Sequence, residues 1–142
     1  MVERHITLGG AGAAVAVSAR GAGHRTEAGR CSLLYHSLGA RVIATTSTAE
    51  KADRLRALGA SEVIDYTETP NWDEKVRELT NARGVDCVVE VGGPGTIAMS
   101  LKALAVGGHL SLIGASLSKS GAGLDPLLLT GRGITLGAIS VD

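Results

Sequence analysis

The chain has 142 residues, of which 14 are Lys or Arg, 14 are Asp or Glu and 44% are hydrophobic. That length suits one domain, and with Trp72, Tyr35 and Tyr66 as the only aromatics its core must be aliphatic. Balanced charge removes the basic footprint of a nucleic-acid or anionic-membrane binder, and no apolar run reaches the roughly 20 residues that span a bilayer.

The first 38 residues form an atypical segment. Ile6-Thr7-Leu8 reads as a first strand entering a glycine turn at Gly9, Gly10 and Gly12, with a helix expected from Ala13 to Ala19. A strand, a glycine turn and a helix N-terminus would cradle a phosphate, because backbone N–H groups and the helix dipole both favour an anion. Gly10 and Gly12 supply the first two glycines of a dinucleotide fingerprint, but Val15 stands where the third is expected, so an ordinary glycine-rich turn is the alternative. Residues 20–31 contain Gly21, Gly23 and Gly29, each costing about 1 kcal/mol relative to Ala inside a helix, and they do not read as one helix. Residues 32–38 look helical again.

From Gly39 onward the local signals agree. ARVIATT, SEVIDY, VDCVVEV and GGHLSLIG are short apolar runs rich in Val, Ile and Leu, as strands buried on both faces should be. Ser47-Thr48-Ala49-Glu50 reads as a capping box with Ser47 as N-cap. It opens a helix with Ala52, Leu55, Ala57 and Leu58 inward and Gly59 as its left-handed end. Asn71-Trp72-Asp73-Glu74 repeats the device, followed by an apolar stripe of Trp72, Val76 and Leu79. Thr96 starts a third helix with Ile97, Leu101 and Leu104 toward the sheet, and Gly107-Gly108 turns the chain into HLSLIG. A short apolar helix near residues 124–129 and a last strand, ITLGAI, complete the pass.

Strands alternating with helices imply an α/β fold, a doubly wound parallel sheet in three αβα layers. Such sheets bind ligands at the carboxyl ends of their strands, so function is sought in the residues that follow each one. After the second strand stand Thr45, Thr46 and Ser47, with Lys51 one turn into the helix. Hydroxyls with an ammonium suit a ribose 2′-phosphate, where an Asp or Glu would suit a free 2′-hydroxyl. The turn Glu90-Val91-Gly92-Gly93-Pro94-Gly95 has a second reading, since an acid followed by glycines resembles the S-adenosylmethionine turn of methyltransferases. It comes too late in the chain for that fold.

Cys87 lies within an apolar strand and reads as a buried thiol. With Cys31 it makes neither a disulfide framework nor a zinc cluster, which suits a reducing, cytoplasmic setting. His5, His24, His36 and His109 are scattered without metal-ligand spacing, so no metal site is expected. The start, MVERHITLGG, lacks the long apolar block of a secretory signal.

GARVIATTSTAEKADRLRALGASEVIDY, then WDEKVRELTNARGVDCVVEVGGPGTIAMSLKALAVGGHLSLIG, resembles the cofactor domain of the medium-chain, zinc-type alcohol dehydrogenase superfamily, above all its quinone-oxidoreductase-like members. The resemblance covers roughly residues 38–141, making 39–142 an NAD(P)-binding Rossmann domain. It implies hydride transfer between NAD(P)H and a small alcohol, aldehyde, ketone or enone, with NADP(H) preferred over NAD(H). In that branch a Lys and a Tyr at the positions of Lys51 and Tyr66 hold the 2′-phosphate, here with Ser47 beside them. The resemblance further implies that Val91 and Gly92 lie at the adenosine side, and that Gly114, Ala115, Ala138 and Ser140 meet the nicotinamide carboxamide. In that superfamily the edge corresponding to the last strand makes a dimer, so a homodimer and aggregation through ITLGAISVD are both open here. A small-molecule substrate is a partner only if a catalytic domain is supplied, and the charge balance gives no sign of a nucleic-acid or membrane partner.

The family's β-rich catalytic domain precedes this region, and 142 residues leave no room for it, so no catalytic residue can be nominated and little turnover is expected. The loss of resemblance near Leu38 implies a truncated or frame-altered amino terminus. A cofactor-binding module without turnover is the alternative function, and a methyltransferase the remote one.

Overall fold

The computed structural model describes residues 14–18, 36–37, 39–90, 94–113 and 126–139. Six strands form one sheet: β1 (Ala14–Ser18), β2 (Arg41–Thr46), β3 (Glu62–Asp65), β4 (Val85–Glu90), β5 (Leu104–Ile113) and β6 (Thr135–Ile139). Four helices connect them: α1 (Ala49–Ala57), α2 (Trp72–Leu79), α3 (Pro94–Ala103) and α4 (Pro126–Arg132). Every strand pair is parallel and the order across the sheet is β3-β2-β1-β4-β5-β6. The chain therefore moves outward twice from a central β1, as a doubly wound Rossmann sheet does.

Strand alternation divides the aliphatic residues between the two faces. Ile43, Val88 and Leu110 join Trp72, Val76, Ile97 and Leu101 in the main core beneath α2 and α3. Val42, Ala44, Cys87 and Val89 are equally buried but do not belong to that cluster, so they point to the other face, where α1 packs on β2 and β3. The α1 helix ends as its sequence requires. Gly59 adopts a φ of 104°, its N–H donates to Arg56 O at 3.1 Å, and Ala60 N–H reaches Leu55 O at 3.0 Å. Those two bonds satisfy carbonyls that would otherwise be orphaned at the helix end.

Several local expectations give way. AVAVS is a strand at the centre of the sheet, with Val15 opposite both Val42 and Cys87, where a helix is expected over residues 13–19. Pairing on both sides outweighs the helix propensity of its two alanines. The segment Ile6-Thr7-Leu8 lies outside the described residues. The α1 N-cap is Thr48, not Ser47: Thr48 Oγ1 accepts from Lys51 N–H at 3.3 Å. Thr46 remains paired with Asp65, so Ser47 is used in the turn and the helix starts one residue later. Asn71 is the α2 N-cap without a side-chain bond, Ala57 faces solvent, and α3 begins at Pro94 rather than Thr96. Pro suits that first helical position because its missing N–H would be unpaired there in any case.

Candidate functional site

Parallel pairing brings the strand ends to one edge. Ser18, Glu90, Leu112 and Ala138 stand in one row across β1, β4, β5 and β6. On the other side Thr46 stands opposite Asp65 at the ends of β2 and β3.

The best-defined part of this edge is the β2–β3 corner. Tyr66 N–H donates to Thr46 O at 3.0 Å, which fastens the residue after β3 to the last residue of β2. Thr46 is buried, whereas Ser47 and Lys51 are partly exposed in the turn and first helical turn that follow. The Tyr66 ring is partly buried and packs against the main core. The backbone of Thr46, Ser47 and Tyr66 thus meets at one corner, from which α1 carries Lys51. Lys51 has no acidic partner among the described residues.

The acid nearest this corner is engaged elsewhere. Asp65 Oδ1 accepts from Thr67 N–H at 2.9 Å and from Thr67 Oγ1 at 2.6 Å. The Thr67 hydroxyl and then its backbone N–H hold the Asp65 carboxyl below its ordinary value.

At the end of β4, Glu90 is fully buried and accepts a short hydrogen bond from Ser100 Oγ–H on α3. Glu90 shares the strand parity of Val88, which places it beneath α3. The bond ties the strand end to the second turn of the helix, bracketing residues 91–95 from both sides.

Val91, Gly92, Gly114, Ala115 and Ser140 lie outside the described residues, and Ala138 is placed only as the β6 partner of Leu112. Gly10 and Gly12 also lie outside them, but chain order corrects their expected role. They precede β1, so they do not form the turn at its carboxyl end; residues 19–35, with Gly21 and Gly23, follow it. The missed signal was the period-two spacing of Val15 and Val17. Among the described residues no group of three or more His, Cys, Asp or Glu could hold a metal ion, and the buried Cys87 forms no disulfide. No described helix is long and apolar enough to cross a membrane.

Comparison with known proteins agrees with this architecture. A family model described as zinc-binding dehydrogenase matches residues 32–141. A zinc-type alcohol dehydrogenase-like protein of Schizosaccharomyces pombe is 41% identical over 76 residues, covering 54% of this chain and 22% of the relative. Among solved structures, an NAD-dependent alcohol dehydrogenase superposes with a TM-score of 0.79 at 33% identity, covering 91% of this chain and 36% of the other. A mycobacterial protein complexed with NADPH superposes with a TM-score of 0.74 at 37% identity, covering 90% and 39%. The chain thus spans between 22% and 39% of the length of these proteins.

Proposed function

The chain belongs to the zinc-binding dehydrogenase family, and we propose that it forms the NADP(H)-binding part of an oxidoreductase acting on a small alcohol, aldehyde, ketone or enone. The observation that carries this reading is the β2–β3 corner. There the backbone bond from Tyr66 N–H to Thr46 O sets the residue after β3 beside the turn that carries Ser47 and leads to Lys51, which forms no ion pair among the described residues. That donor set fits a phosphate, and an acid positioned for a ribose 2′-hydroxyl is missing from the end of β2. One solved neighbour is NAD-dependent and another is complexed with NADPH, so the preference rests on the corner itself.

In this reading Lys51, Ser47 and Tyr66 hold the 2′-phosphate beside Thr46. Val91 and Gly92 border the adenosine, and Gly114, Ala115, Ala138 and Ser140 meet the carboxamide. The nicotinamide ring supplies or accepts the hydride. Turnover also needs the substrate held against it and shielded from water. It is a single domain of residues 39–142 completed by β1, in a reducing cytoplasm that keeps Cys87 a thiol. The β6 edge, paired only with β5, takes a second copy of the chain. A methyltransferase has no place in this family.

Calorimetric titration tests the reading. NADPH should bind more tightly than NADH, and Lys51→Ala should weaken NADPH by about 10-fold while changing NADH little, because only the former carries the extra phosphate. Equal losses for both cofactors, or tighter NADH binding by the unaltered chain, would overturn it. An NADPH-oxidation assay with quinones, enals and ketones separates a residual enzyme from a binding module.

A further inference from the structure

We infer that the amino-terminal edge of the sheet, opposite the proposed cofactor groove, carries a second ligand site that takes a small oxyanion, a phosphate or a carboxylate group. A cavity of about 400 Å³ opens there, lined by Arg77, Ala82, Arg83, Ala105, Val106 and Arg132. Three of its six lining residues are cations and none is an acid. The whole chain is neutral, so this charge belongs to the place and not to the composition.

Two of the cations converge on one helix end. Arg77 donates from Nε to Lys102 O at 2.9 Å, from Nη1 to Ala82 O at 3.0 Å and from Nη2 to Leu104 O at 3.4 Å. Arg132 comes from α4 and donates from Nη1 to the same Lys102 and Leu104 oxygens, at 3.2 and 3.3 Å. Sharing Lys102 O holds Arg77 Nε and Arg132 Nη1 within about 6 Å of each other, a spacing at which like charges repel.

The carbonyls do not answer that charge. A helix C-terminus offers about half a unit of negative charge, and two whole positive charges meet at it. Neither Arg77 nor Arg132 forms an ion pair among the described residues, whereas Arg83 is paired with Asp86 through Nη1 at 3.1 Å and Nη2 at 2.5 Å. A guanidinium has five N–H groups in a planar fork, so Arg132 keeps Nε and Nη2 for a ligand after its two carbonyl bonds. An oxyanion across the two guanidiniums would supply the missing charge and take the spare donors. Val106, 81% exposed, forms an apolar rim beside it.

The test is a titration of the isotopically labelled full chain with sodium phosphate and, separately, sodium succinate, against sodium chloride at matched ionic strength. The amide signals of Ala105, Val106 and Gly107 should shift saturably with at least one of the two oxyanions and not with chloride; the tighter binder identifies the source chemistry. Arg132→Gln should weaken that binding about 10-fold, while Lys51→Ala, at the opposite edge, should leave it unchanged. The second control keeps the result independent of the cofactor reading. If Arg132→Gln does not fold, Arg132→Lys serves in its place, since it keeps the charge but loses the Nε and Nη2 fork that would hold the oxyanion. No saturable shift with either oxyanion up to about 50 mM would overturn the inference, as would binding left intact by the arginine substitution.

Discussion

Ser100→Ala isolates the contact that joins β4 to α3. Glu90 has no exposed surface, so water cannot replace the hydroxyl that Ser100 presents to it. A hydrogen bond to a charged group is worth about 1.5–3 kcal/mol, and burial without water to replace it puts this one in the upper half of that span. A loss of about 2–3 kcal/mol should lower the melting temperature of a chain this size by roughly 5–12 °C. Urea unfolding followed by circular dichroism should show a lower midpoint at unchanged slope. Glu90→Gln keeps an acceptor for the Ser100 hydroxyl and should cost less than Glu90→Ala. A double-mutant cycle between Ser100→Ala and Glu90→Ala should return a coupling of about 1 kcal/mol or more. A stability change for Ser100→Ala within about 0.5 kcal/mol of zero, or a cycle without coupling, would show that the two groups do not share a buried bond.

Gly84→Ala should destabilise by about 2–5 kcal/mol, because its φ of 88° disfavours a side chain and a Cβ would sit 2.8 Å from Ala103 O, Ala105 N and Leu104 C, all backbone atoms that cannot rotate away; calorimetric melting measures it, and an unchanged melting temperature would refute it. Thr67→Val removes the largest cause of the lowered Asp65 pKa, so the folded value should rise toward 3.8. A depressed carboxyl contributes stability above its unfolded pKa and loses it as pH falls through the folded value, so the variant's deficit should be full near neutral pH, shrink as pH falls below 3.8 and vanish only below the lowered folded value. Carbon-13 carboxyl titration with urea midpoints at the two pH values checks both statements. Ser47→Asp places a carboxylate in the turn after β2, and its repulsion should weaken NADPH by about 10- to 100-fold while NADH holds or improves. Competitive titration of the two cofactors decides it, and parallel losses would contradict the assignment of that corner.

Most of the sheet was legible because its strands are aliphatic runs with turn signals between them. RVIATT, EVID and VDCVVE became β2, β3 and β4 within a residue of their apolar limits. AVAVS was not legible. Its alanines satisfy a helix as well as a strand, and only pairing with Val42 and Cys87, distant in sequence, decides between them. The α1 start was mistaken for a similar reason. Ser47 and Thr48 are both good caps, and what selects Thr48 is how far β3 pairs along β2. Ala57 lies two positions from the buried Leu55, about 200° around the helix, and so faces solvent. That Thr46, Ser47 and Tyr66 stand where β2 and β3 end was legible because they close apolar runs. The Glu90–Ser100 bond was not, since a pairing across ten positions depends on how α3 lies on β4.

The carboxyl edge is shaped as much by where its acids go as by its cation. An exposed carboxylate at the end of β2 or β3 would attract a ribose hydroxyl and repel a phosphate. Asp65 stands at that place with its Oδ1 engaged by Thr67, two residues on, and Thr46 occupies the corresponding end of β2. Glu90, the acid at the end of β4, is drawn beneath α3 and leaves the surface altogether. Ser47 and Lys51 at the β2–β3 corner are partly exposed, and Lys51 forms no ion pair among the described residues. Under the proposed reading, a preference for the phosphorylated nucleotide would rest on Lys51 and Ser47, with the Asp65 charge, held ionised by its two Thr67 bonds, working against it.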